Sequence, residues 1–119
     1  MSNILIADAN GRRRVQIEVL LQKAGHHTYS VGTIAEAMRY AEIYVPDVLI
    51  SPESLPDGSI EKVVEAFRSS ERSMLRHLPI VTAGKNVPAD ANVSHSRNNS
   101  AKALVLEAED VLTHVGELA

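Results

Sequence analysis

The sequence predicts an α/β fold: a doubly wound, five-stranded parallel sheet with helices packed on both faces. Two observations carry the prediction. Short apolar runs without helical spacing alternate along the chain with stretches whose apolar residues recur every three or four positions. Gly, Pro and capping residues stand at the joints between the two patterns. Strands alternating with amphipathic helices imply right-handed βαβ crossovers and a parallel sheet. In such sheets the functional crevice lies beyond the carboxyl ends of the strands, at the topological switch point.

The elements follow in order. Asn3 to Asp8 reads as a buried first strand. After Asn10-Gly11, Ile17, Leu20, Leu21 and Ala24 mark the core stripe of a first helix, which Gly25 stops. His27 to Val31 is a short second strand. Thr33-Ile34-Ala35-Glu36 forms a capping box, in which the Thr oxygen and the Glu carboxylate satisfy free backbone donors. The second helix carries Ile34, Ala37, Met38 and Ala41 on one face, and Pro46 bounds it. Asp47 to Ser51 is the third strand, Pro56-Asp57-Gly58 a turn, and Ile60, Val63, Val64 and Phe67 mark a third helix. Pro79 to Ala83 is the fourth strand. The interval from Gly84 to Ser100 must hold a fifth strand, Asn92 to Ser96, and what precedes it has Gly and Pro without helical periodicity. A helix at this point is therefore expected to be missing or reduced to one turn. The last helix runs from Ala101 to about Gly116, marked by Leu104, Val105, Ala108, Val111, Leu112 and Val115.

Composition narrows the function classes. The chain has 119 residues, 45% apolar and 23% charged, as expected of one soluble globular domain over residues 1–119. With three Tyr, one Phe and no Trp, the core must be aliphatic. A net charge of -3 speaks against nucleic acid as the main partner. No Cys is present, which excludes disulfides and thiolate chemistry. No apolar run approaches the roughly 18 residues that span a bilayer, and the N-terminus enters a strand without a basic, apolar leader. A cytoplasmic location with no membrane contact is expected.

Pro46 to Gly58, Pro-Asp-Val-Leu-Ile-Ser-Pro-Glu-Ser-Leu-Pro-Asp-Gly, resembles the third strand and following loop of a response-regulator receiver domain. Ile4-Leu5-Ile6-Ala7-Asp8-Ala9-Asn10 likewise resembles that family's first strand and acidic pocket. The resemblance implies the receiver (flavodoxin-like) topology, and it covers most of the chain, specifically through Gly58 and loosely beyond Ala83. In the family, the position of Pro52 holds the Asp that accepts a phosphoryl group, and proline has no oxygen with which to attack. Asp8 matches the first of two adjacent acids that help hold Mg²⁺, and Ala9 replaces the second. Glu53 is adjacent to the acceptor position, but strand alternation should point it away. Aligning Pro79 with the family's strand-opening proline puts Gly84 at the Ser/Thr that senses the phosphoryl group. Matching the local Thr-Ala pair instead selects Thr82; the first alignment is preferred. The family's Lys falls near Ser96 or Arg97 with no proline behind it, and its switch aromatic falls near Val93. Together these departures describe an atypical receiver, or pseudo-receiver.

Several other clusters hold side chains of chemical interest. Arg12, Arg13 and Arg14 open the first helix and could hold an anion there, although a solvated first turn balanced by Asp8 and Glu18 accounts for them more simply. No Gly-x-Gly-x-x-Gly or Walker loop accompanies them. His26, His27, His77, His95 and His114 form no His-x-x-x-His pair, so no metal site is expected. Ser94, His95 and Asp90 compose no triad spacing. Val15 and Val19, four residues apart, lie opposite the core stripe of the first helix, and Leu106 points away from the core side of the last. These three are the candidate partner contacts.

The expected function is a non-catalytic, phosphorylation-independent receiver-like signalling module acting through protein–protein contact, with a sensor kinase, phosphotransfer protein or other signalling protein as partner. No cofactor is expected. The alternatives are a divergent receiver phosphorylated at Glu53, Ser51 or Ser54, and a small anionic-ligand binder at Arg12 to Arg14.

Overall fold

A computed structural model describes residues 2–84 and 89–118, with the side chains of residues 115–118 excepted. Its elements run β1 (Asn3–Ala7), α1 (Gly11–Lys23), β2 (His27–Val31), α2 (Ile34–Ile43), β3 (Val48–Ile50), α3 (Ile60–Arg68), α4 (Ser73–Arg76), β4 (Ile80–Thr82), β5 (Val93–His95) and α5 (Ala101–Leu118). The five strands form one parallel sheet in the order β2-β1-β3-β4-β5. This is the predicted doubly wound architecture. From β1 the chain steps outward to β2, then crosses to β3 on the other side, so the switch point lies between β1 and β3.

Alternation along the strands divides the core into two layers. Leu5, Ala7, Leu49 and Ile80 face α2, α3 and α4, where they meet Ala37, Ala41, Val63, Phe67 and Leu75. Ile4, Ile6, Val48, Ile50 and Val81 face α1 and α5, where they meet Ile17, Leu21, Leu104, Val105 and Ala108. Both sheet faces are thereby covered, which is why the central strands read as continuous apolar runs.

The helix ends follow their sequence signals. The Asn10 side chain accepts from the Arg13 N–H at the start of α1, and Ser59 accepts from Lys62 at the start of α3. Gly25 has φ +91°, the left-handed conformation that closes α1. At α2 the Thr33 hydroxyl oxygen caps the Glu36 N–H at 3.1 Å, but the Glu36 carboxylate accepts from the Thr33 hydroxyl and no backbone donor. The free N–H groups of Ile34 and Ala35 go instead to the carboxylate of Asp57, at 2.8 and 3.1 Å.

Two expectations are corrected. Leu20 and Ala24 are exposed, so the buried stripe of α1 is Arg13, Ile17 and Leu21. The short helix α4 was not predicted; it buries Leu75 between α3 and β4. The connection from β4 to β5 shows no helix among its described residues, and residues 85–88, on which the expected loss of a helix chiefly falls, lie outside the described residues. Val115, expected on the core stripe of the last helix, also has its side chain outside the described residues. On the outer edge, Tyr29 of β2 stacks on Tyr40 of α2 with ring centroids 4.1 Å apart, and Tyr44 lies against Tyr40 at 5.2 Å.

Candidate functional site

The switch point brings Asp8 and Pro52 together. Ile6 and Ile50 are register partners, and each of the two residues lies two positions farther along its own chain. Asp8 is held by the Val31 carbonyl, which accepts its N–H at 3.0 Å. Its carboxylate is fully buried, and α1 supplies the partner. Arg13 Nε donates to Oδ2 at 2.7 Å and Nη2 donates to Oδ1 at 2.8 Å, a two-pronged contact from a side chain only 9% exposed. The Asn10 N–H donates to Oδ1 as well, at 2.9 Å. Arg13 Nη2 also reaches Oε1 of Glu53 at 3.0 Å, so one guanidinium joins the loops that follow β1 and β3. Hydrogen bonding to Asp8 raises the pKa of Arg13 further above its already high value, against the opposing effect of burial. A fixed cation therefore sits on the only acid at the end of the first strand.

Around it lie Pro52, Thr82, Gly84 and Ser96. Pro52 is buried, offers no side-chain oxygen, and accepts the Ala83 N–H with its carbonyl at 3.1 Å. Thr82 is fully buried in β4, and its hydroxyl donates to the Pro52 carbonyl at 3.5 Å and accepts from the Gly84 N–H at 3.0 Å. A Cβ on Gly84 would stand 3.1 Å from Ile60 Cγ1 and 3.2 Å from Thr82 Oγ1, so a side chain there has little room. Ser96 follows β5, and its hydroxyl donates to the Asn98 carbonyl.

Comparison with known proteins places this geometry. No protein-family profile matches the chain. Over 74 residues it is 30% identical to the virulence transcriptional regulatory protein PhoP of Salmonella typhimurium, a match covering 62% of this chain and 33% of PhoP. The chain thus spans about a third of the length of that relative. The chemotaxis response regulator CheY4 of Vibrio cholerae superposes with a TM-score of 0.76 at 23% identity, over 93% of this chain and 98% of that one. The structure of histidine kinase ThkA in complex with response regulator protein TrrA matches with a TM-score of 0.71 at 18% identity, over 94% and 99%. This chain has the receiver fold.

Set on that fold, the residues of the receiver pocket separate into two groups. Asp8, Pro52 and Gly84 lie just beyond the carboxyl ends of β1, β3 and β4. Ala9 is exposed beside them, and Ser96 lies at the end of β5, its hydroxyl engaged with its own loop. Glu53 is a correction: the period-two alternation assigned it away from the pocket, but β3 ends at Ile50, and the loop turns the carboxylate onto Arg13. Arg13 is the second correction, because it is a buried partner of Asp8 and not part of a solvated first turn. Arg12 is exposed, and Arg14 donates to the Asp8 carbonyl at 3.1 Å. The signal for Arg13 was present in the spacing, since positions 13, 17 and 21 fall on one helix face.

A second surface lies on the α1 and α5 side. Val15, Val19 and Leu106 are 53%, 43% and 59% exposed, as their spacing predicted, and Leu20 joins them. Val15, Val19 and Leu20 line a groove of about 500 Å³ with Ala101 and Lys102. Leu106 lines a neighbouring one of about 420 Å³ with Ala103, Arg97 and Lys102. Lys102 is shared by both grooves. Arg12 precedes Val15 by one turn and Lys23 follows Val19 by one turn, so the α1 part of the apolar strip carries a basic rim, while Glu107 joins Arg97 and Lys102 around Leu106. Among the described residues no helix is long and apolar enough to cross a membrane.

Proposed function

We propose that this chain is a receiver-like signalling module that works without phosphorylation and acts by binding other proteins in the cytoplasm. The observation that carries the reading is the occupation of Asp8: both oxygens of the single matched pocket acid are taken by the Arg13 guanidinium. A metal bound there would have to displace a bidentate, buried ion pair. Phosphoryl transfer is almost wholly positioning and charge stabilisation, and Pro52 supplies no nucleophile to position. Of the other oxygens near the acceptor, Ser54 is exposed and two are poorly placed. Ser51 Oγ is fully buried and has no hydrogen-bond partner among the described residues, and Glu53 is engaged with Arg13. This reading needs no cofactor and no catalysis.

The test is incubation with acetyl phosphate and Mg²⁺ followed by intact-mass measurement. The expected result is an unchanged mass. A stable adduct of one phosphoryl group refutes the reading, and its position would identify Glu53, Ser51 or Ser54 as a relocated acceptor.

The proposed contact surface is the face built by Val15, Val19 and Leu106. Apolar residues in grooves with a basic rim favour a protein partner that presents apolar side chains flanked by carboxylates. The ThkA–TrrA complex supports a histidine kinase as one class of such a partner. A pull-down comparing wild type with Val15→Asp/Val19→Asp checks the surface. Loss of a retained protein from the double variant is expected, and recovery of the same proteins on both baits rejects this face.

A further inference from the structure

The loop between β3 and α3 is fastened at both ends by its own carboxylates. Glu53 accepts from Arg13 of α1 at 3.0 Å, and Asp57 accepts from the N–H groups of Ile34 and Ala35 of α2 at 2.8 and 3.1 Å. Between these grips the Leu55 and Gly58 backbones exchange reciprocal hydrogen bonds at 2.9 and 3.1 Å, and the Leu55 side chain is buried in the α2–α3 layer. The two helices gripped lie on opposite faces of the sheet. A single short loop therefore spans the switch point and ties both layers together.

We propose that residues 53–58 act as an acidic strap that holds the carboxyl edge of the sheet in one conformation with no bound ligand. The strap satisfies two positive features from within the chain: the buried guanidinium of Arg13, and the free N–H groups where the α2 dipole is positive. The Asp57 carboxyl is held below the ordinary carboxylate range, first by the Ile34 N–H, which fits a grip made by its charged form. The two grips are unequal. Glu53 is 55% exposed and makes one contact with a guanidinium already committed to Asp8, whereas Asp57 makes two backbone contacts. Opening thus begins at Glu53 and pivots on Asp57. The inference does not depend on the signalling role, because it concerns only how the edge is held.

Amide hydrogen exchange and relaxation dispersion on the intact chain test it, with Glu53→Gln, Asp57→Ala and the double variant. Glu53→Gln should raise exchange in residues 53–55 about two- to five-fold, as expected for a partly exposed charged contact. Asp57→Ala should raise exchange at Ile34 and Ala35 about five-fold, the usual consequence of losing a helix cap. The double variant should exceed the product of the two and show millisecond exchange across 53–58 that wild type lacks. Glu53→Gln alone should leave the urea midpoint unchanged, which separates a local latch from general loosening. Wild-type exchange in Glu53→Gln at residues 53–55, or millisecond motion across 53–58 in the unaltered chain, overturns the strap.

Discussion

Replacing Arg13 with methionine should be among the most damaging single changes in this fold. Methionine retains an unbranched stem for the α1 face but removes the guanidinium. The Asp8 carboxylate would then keep one of its three hydrogen bonds, the 2.9 Å contact from the Asn10 N–H, while it stays fully buried. Breaking a buried pair by removing one partner costs about 3–5 kcal/mol, because the remaining charge is uncompensated. The lost Glu53 contact adds no more than about 1 kcal/mol, since that carboxylate is half in water. Against a total stability of about 5–15 kcal/mol for a domain, the loss is a large share. Adding Asp8→Asn removes the stranded charge and keeps an acceptor for Asn10, so the double variant should recover to within about 1–2 kcal/mol of wild type. Urea unfolding followed by far-ultraviolet circular dichroism measures both, with equal m values as the check on two-state behaviour. An Arg13→Met protein within about 1 kcal/mol of wild type, or a double variant no better than the single one, would show that this pair is not the buried contact described.

Two further outcomes follow from the same geometry. Gly84→Ser should cost about 1–3 kcal/mol by overpacking against Ile60 Cγ1 and Thr82 Oγ1, and Ile60→Ala, which removes Cγ1, should relieve part of it in a double-mutant cycle; additive losses would dismiss the contact. Asp90 is held below its ordinary value of 3.8, first by hydrogen bonding from Arg68, whose Nε donates to it at 2.8 Å. A depressed carboxyl stabilises fully above its unfolded pKa and loses that contribution as pH falls through its lower folded value. The stability difference between wild type and Asp90→Asn should therefore be constant at neutral pH and shrink as the pH drops below about 4; a difference independent of pH would contradict it.

The parts of the fold that periodicity controls were legible. Every predicted strand overlaps its observed counterpart with ends displaced by no more than one residue, because alternating apolar blocks are what a sheet covered on both faces requires. Helix α4 was not legible, since four residues contribute a single buried position, Leu75, and no repeat. Leu20 was misplaced because the α1–α5 packing rotates the buried stripe toward Arg13, Ile17 and Leu21. At the site, the residues at positions 9, 52 and 84 could be read directly, and what they replace is what the receiver resemblance implies. The spacing of Arg13 with Ile17 and Leu21 signalled its burial, but its pairing with Asp8 and the role of Glu53 could not be read, because they depend on where a long side chain ends and where a strand stops. Asp57 looked like an ordinary turn residue, and only the approach of α2 across the sheet edge makes it a cap.

The gathering of Tyr29, Tyr40 and Tyr44 into one stack has a practical consequence for optical work on this protein. The chain contains no Trp and no other Tyr, so its tyrosine emission and most of its near-ultraviolet dichroism originate at the β2–α2 edge. Those signals are silent about the Asp8–Arg13 contact and about the grooves between α1 and α5. A loss of tyrosine signal during unfolding reports the departure of one sheet edge, and agreement with a backbone probe becomes a direct measure of whether that edge and the pocket melt together.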